Sequence, residues 1–167
     1  MKKQKNLIGK ISIVISLAAL FFAATYFGES ANYTDCLLFI IGLLLGMSLL
    51  EADEIFLFKY YTDNEFLESG QQKKLVTRSL LFLLLLFPLG LFLLTSTGSV
   101  IGVGMFLSIL SGLALEFFIL RNDRTGFQER FLHQLKREIT AEEQLILITV
   151  FISVTVLYGF LVIFLGR

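Results

Sequence analysis

The sequence predicts an all-α fold: a polytopic membrane helical bundle of about five transmembrane helices, with one cytoplasmic amphipathic helix. Three observations lead there. Hydrophobic residues make up 56% of the 167, Phe alone contributes 18, and the mean hydropathy is +0.79, an apolar load that suits lipid rather than water as the solvent. The apolar residues also fall into five long runs separated by polar stretches. Finally, the basic residues sort to one side of the topology that these runs create. The chain is therefore read as a single integral membrane domain over residues 1–167.

The runs cover about 7–27, 35–58, 75–94, 99–120 and 143–165. A helix needs about 20 residues to cross the hydrocarbon core, so the first, fourth and fifth are long enough as they stand. The second reaches that length only by running through Glu51, Asp53 and Glu54 to Phe58. The third does so by starting near Leu75, with Arg78 snorkelling to the headgroups. Lysines ahead of the first run resemble a cleaved signal sequence, but the run is long and Ala-x-Ala is missing at its end, which favours a retained span.

All the lysines and arginines except Arg167 fall before or at the start of the first span, between the second and third or at the start of the third, or between the fourth and fifth. The opposite loops hold Glu29, Asp35 and the uncharged Thr95–Ser99 turn. The positive-inside rule then gives a bacterial-type inner (plasma) membrane protein, multi-pass, with a cytoplasmic N-terminus and an external C-terminus.

Gly42 and Gly46 form a GxxxG step in the second span, and Gly104, Ser108 and Gly112 continue a small-residue stripe in the fourth. Such stripes let backbones approach closely, within one chain or between two copies. Pro88 near Gly90 predicts a kink in the third span. In the last cytoplasmic stretch, Phe127, Phe131, Leu132, Leu135 and Ile139 recur at helical spacing, which predicts an amphipathic surface helix over about 126–139 that includes His133. Thr140 and Glu143 form a capping box that opens the fifth span.

The stretch "LLEADEIFLF" places three carboxylates inside an apolar run. At about 100° per residue, Asp53 lies about 20° from Gly46, on the packing stripe, whereas Glu51 and Glu54 fall off it. Glu116 follows Gly112 by four residues and extends that stripe in the same way. Ionisable groups inside a membrane cost about 2.5 to 3.5 kcal/mol on insertion scales, and they tend to face the bundle interior and pair. The expected arrangement is a polar cluster of Asp53, Glu116 and Arg78, with Glu51 and Glu54 around it, near the cytoplasmic face.

At these residues the chain resembles the bacterial inner-membrane metal-dependent hydrolase family. "EADE" echoes an Asp-x-Asp-His element with Glu51 and Asp53 as the acidic pair, and Glu54 stands where histidine is expected. "VTRSLLF" offers Arg78 and Ser79, while "SGLALE" keeps Ser111 and Glu116 with Gly112 in place of histidine. The resemblance runs from Gly42 to Leu120 and implies a divergent, histidine-less relative. It is also similar to uncharacterised small multi-pass bacterial membrane proteins with a "LTSTGS"-type turn. A relative of this kind could hold only a hard divalent metal such as Mg²⁺ or Ca²⁺, on Asp53, Glu51 and Glu116.

One cysteine and one histidine exclude a disulfide framework and a histidine-rich metal centre. Zero net charge carries no nucleic-acid signal. No nucleophile–base pair or phosphate loop is visible. The leading expectation is a non-enzymatic scaffold or accessory subunit without a cofactor, surrounded by membrane lipids and available to a protein partner or a second copy of itself. The alternatives are a carboxylate-metal membrane hydrolase acting on a lipid or envelope substrate, and a small transporter or proton/ion pathway.

Overall fold

The computed structural model describes residues 2–27, 33–62, 76–93, 95, 99–132, 134, 135 and 137–165. Among these, all regular structure is helical: α1 (Lys2–Phe27), α2 (Tyr33–Thr62), a single 3₁₀ turn (Val76–Arg78), α3 (Leu80–Phe92), α4 (Val100–Ile119), α5 (Arg124–Phe131) and α6 (Ala141–Leu165). Three helices are long and apolar enough to cross a membrane, over Tyr33–Asp53, Val100–Ile119 and Ala141–Val162. The apolar stretches Ile8–Ala23 of α1 and Leu80–Phe92 of α3 are shorter. At about 1.5 Å per residue, α3 rises only about 20 Å, against a core about 30 Å thick.

Local chemistry starts the helices where it does. The Ser79 hydroxyl accepts from the Phe82 amide at 3.2 Å, and the Ser99 hydroxyl accepts from Gly102 at 3.2 Å. Asp123 accepts from Gly126 at 3.0 Å. Each side chain satisfies one of the orphan amides of a first turn. The Thr140–Glu143 box forms in both directions: the Glu143 amide donates to Thr140 Oγ1 at 3.2 Å and the Thr140 amide to Glu143 Oε2 at 2.9 Å. Pro88 lies inside α3, which continues past it to Phe92.

Helix α4 is the most buried of the three long helices and packs against α2, α6 and α1. The two small-residue stripes meet face to face. A Cβ on Gly42 would stand 2.3 Å from the Ile101 carbonyl oxygen, one on Gly46 2.3 Å from that of Met105, and one on Gly104 2.5 Å from that of Phe39. Glycine alone permits this backbone contact. Ser108 adds a hydrogen bond across it, donating to the Leu43 carbonyl at 2.7 Å, and Gly112 receives Leu50, whose Cδ1 lies 2.7 Å from the Cβ position. On the other side, Gly90 admits the rings of Phe106 and Tyr158, and the Tyr158 hydroxyl donates to the Phe87 carbonyl at 2.7 Å.

Apolar side chains also cover the outside. Ile11 and Ile15 of α1, Leu44 and Leu45 of α2, Leu84 and Leu85 of α3, and Val150, Leu157 and Phe160 of α6 all point outward. In water this surface would be a severe liability; against acyl chains it costs nothing.

The stretch after α4 departs from the amphipathic surface helix expected over 126–139. Helix α5 ends at Phe131, and Phe127, Phe131, Leu132 and Ile139 are buried in the bundle. Phe117 of α4 is the reason: its ring makes edge contacts with Phe127 at 5.1 Å and Phe131 at 4.4 Å, and a tilted contact with Phe151 of α6 at 4.7 Å. Beyond α5 the Gln128 side chain replaces the helical ladder. It donates to the Arg137 carbonyl at 2.7 Å and accepts from the Ile139 amide at 3.0 Å. His133 lies outside the described residues.

Candidate functional site

The polar residues gather at one end of the bundle. Glu116 sits near the C-terminal end of α4, Asp53 follows the apolar part of α2, Arg78 closes the 3₁₀ turn leading into α3, and Lys10 stands near the start of α1. All four side chains are buried, with Arg78 at 0% and Glu116 at 2% exposure. From Val100 to Glu116 a helix rises about 24 Å, so the cluster lies most of a hydrocarbon thickness away from the other end of α4.

Arg78 binds Glu116 with two prongs: its Nε is 2.6 Å from Oε2 and its Nη2 is 2.6 Å from Oε1. This fork-to-fork geometry is the strongest pairing open to a guanidinium and a carboxylate. Two further cations reach the same carboxylate. Lys10 Nζ stands 3.1 Å from Oε1, and Arg130 Nε of α5 stands 3.2 Å from Oε2. Lys10 also donates to Glu51 Oε1 at 2.5 Å. Glu51 is one-third exposed, and so it carries the network from the dry interior to the rim.

Asp53 has a different task. Its Oδ2 accepts from the Thr77 amide at 2.8 Å and from the Thr77 hydroxyl. The amide belongs to the buried turn that delivers Arg78, where an unsatisfied N–H would be costly. Asp53 therefore fixes the backbone on which Arg78 is mounted. The ion pairs join three cations, Lys10, Arg78 and Arg130, to two carboxylates, Glu51 and Glu116, while Asp53 is held by Thr77. Desolvation of each paired charge is offset by an opposite neighbour, and that of Asp53 by the Thr77 amide and hydroxyl.

Glu116, Arg78 and Glu51 thus join one network, with Asp53 attached through Thr77. The side chain of Glu54 lies outside the described residues. Gly42, Gly46, Gly104, Ser108 and Gly112 lie on the α2–α4 contact and bring Glu51, Asp53 and Glu116 to the same end. The remaining residues of the quoted motifs serve the backbone: Ser79 caps α3, and Ser111 donates back to the Leu107 carbonyl at 2.7 Å. Among the described residues, no three His, Cys, Asp or Glu side chains are grouped as a ligand set for a metal ion. Both Glu116 oxygens already accept from Arg78.

Sequence reasoning missed Lys10, Thr77 and Arg130. Lys10 carried a usable signal, since it stands three residues inside the first apolar run, where a solvated flanking charge has no reason to be. Arg130 and Thr77 carried none: one is an arginine in a polar stretch and the other a threonine before an arginine. In a comparison with known proteins, no family model, curated relative or solved structure matches this chain.

Proposed function

We infer that this chain is a five-span integral membrane protein, N-terminus cytoplasmic and C-terminus external, which works as a non-enzymatic scaffold or accessory subunit. The shorter apolar stretches of α1 and α3 complete the five crossings. Positive-inside sorting of the basic residues supports the orientation, with the charge network near the cytoplasmic leaflet.

The observation that carries this reading is the state of Glu116. A carboxylate that served as a metal ligand or a proton carrier would need an open lone pair or a neutral form. This one accepts two hydrogen bonds from Arg78 and lies beside Lys10 and Arg130. The network ties α1, α2, α3, α4 and α5 together at one end, which suits a rigid platform more than a moving gate. Its function is then to hold a shape for another membrane protein or a second copy to recognise.

The test is isolation of the full chain from its own membrane in mild detergent, followed by reconstitution. A defined-stoichiometry complex, together with liposomes that stay ion-tight and lipids that stay intact, supports the scaffold. A monomer that by itself drives proton flux or lipid hydrolysis, lost on Glu116→Gln, overturns it.

A further inference from the structure

We propose that the corner between α4 and α5 is a docking site for the headgroup of an anionic phospholipid of the cytoplasmic leaflet. This rests on the membrane reading above. The corner begins at Phe118, whose ring is half exposed, beside Ile119, which is also about half exposed, on the outer side of α4. The Arg121 guanidinium lies over that ring, 4.3 Å from its centroid. An arginine stacked on a lipid-facing aromatic at the end of a span has its charge at headgroup depth and its stem along the acyl region. Arg124, exposed like Arg121, follows within the same turn of chain.

Neither arginine takes part in the ion pairs around Glu116, and both residues are exposed. Asp123 stands between them, but its carboxylate caps α5, accepting from the Gly126 amide at 3.0 Å and the Thr125 hydroxyl at 3.1 Å. The carbonyls that end α4 are occupied too: the Gln144 side-chain amide donates to Leu120 O at 3.1 Å and Arg121 O at 3.3 Å. Gln144 thus ties α6 to the corner, and both arginines are exposed there. A phosphodiester fits this arrangement, because arginine pairs with its oxygens through parallel N–H donors, while the acyl chains lie beside Phe118 and Ile119.

The test is native mass spectrometry of the full chain in detergent with equal amounts of phosphatidylglycerol and phosphatidylcholine. At about 1 kcal/mol per arginine near the surface, retention of phosphatidylglycerol should exceed that of phosphatidylcholine roughly tenfold to thirtyfold. The Arg121→Gln/Arg124→Gln double variant should abolish the preference, while Arg137→Gln, which removes an exposed arginine paired with Glu143 at 2.6 Å, should leave it intact. Equal retention of the two lipids by the unaltered chain overturns the site. So does a preference that survives the double variant, or one that falls equally in Arg137→Gln, which would mark diffuse attraction. Release of the chain from native membranes by alkaline carbonate would instead overturn the membrane reading itself.

Discussion

Arg78 and Glu116, thirty-eight positions apart, close a two-pronged ion pair in the dry interior of the bundle, with both nitrogen–oxygen distances at 2.6 Å. The pair joins the turn that starts α3 to the far end of α4, the most buried of the long helices. Burying two charges is costly, and the geometry recovers that cost only while both partners are present. Removing one is therefore worse than removing both. Glu116→Gln should destabilise the protein by about 3 to 5 kcal/mol, because Arg78 keeps its charge without a carboxylate. Arg78→Met combined with Glu116→Leu should lose clearly less than the sum of the two single changes. Unfolding of the purified chain in detergent measures Glu116→Gln, the two singles and the double, and strict additivity would mean that the pair is not coupled.

Asp53 acts on the same pair at one remove, through the Thr77 amide and hydroxyl. Asp53→Ala leaves a buried amide without its acceptor, a loss of about 1 to 3 kcal/mol. Its signature is local. Hydrogen exchange should accelerate at residues 77–79 while the α2–α4 contact stays protected. Uniform acceleration across α2 and α4 would assign Asp53 to the bundle as a whole instead of to this turn.

Much of this arrangement was legible in the sequence because helical register is simple arithmetic. Gly46 and Asp53, or Gly112 and Glu116, share a face of an ideal helix wherever that helix sits, and two stripes of small residues on two apolar helices have one another to pack against. The partners were harder to see. Charge sorting treats every lysine and arginine near a span as a marker of the cytoplasmic side, and that hid Lys10 and Arg130 as ligands of Glu116. Register places Asp53 in one cluster with Glu116 and Arg78, yet it is the Thr77 amide and hydroxyl, in the turn before Arg78, that take its oxygen. The surface helix failed for a related reason: apolar spacing records that one face is buried, not whether lipid or Phe117 buries it.

The glycine contacts separate close packing from mere flexibility. A methyl group on Gly42 meets the Ile101 backbone oxygen at 2.3 Å, a contact that no rotamer relieves, whereas one on Gly159 meets nothing within 4 Å. Gly42→Ala should force α2 away from α4 and cost about 1 to 3 kcal/mol. Gly159→Ala, inside α6, should be neutral or stabilising by up to about 1 kcal/mol. Unfolding in the same detergent checks both. Equal effects would remove the α2–α4 contact as the reason for the glycine stripe.

Lys10 offers a graded comparison with Arg78, because it holds both Glu51 and Glu116 from α1. Its loss is softened at each end: Glu51 is partly exposed and can turn to water, and Glu116 keeps Arg78. Lys10→Met should therefore destabilise the bundle by less than Arg78→Met, with the effect centred on α1. Limited proteolysis reads this out. Faster cleavage within α1 and an unchanged α2–α4 core is the expected pattern, and a loss as large as that of Arg78→Met would place Lys10 at the centre of the network.

Orientation is open to direct labelling, since Cys36 is the single cysteine and is buried. In a Cys36→Ala background, Thr95→Cys and Asn122→Cys place thiols at two exposed positions on either side of α4. The basic residues near Asn122 assign it to the cytoplasm and the uncharged turn near Thr95 to the outside. A membrane-impermeant maleimide added to intact cells should label Thr95→Cys, and should label Asn122→Cys only after permeabilisation. The reverse pattern would invert the topology and move the charge network to the outer leaflet. Labelling of both from one side would remove the crossing of α4, and with it the membrane reading of the most buried of the three long helices.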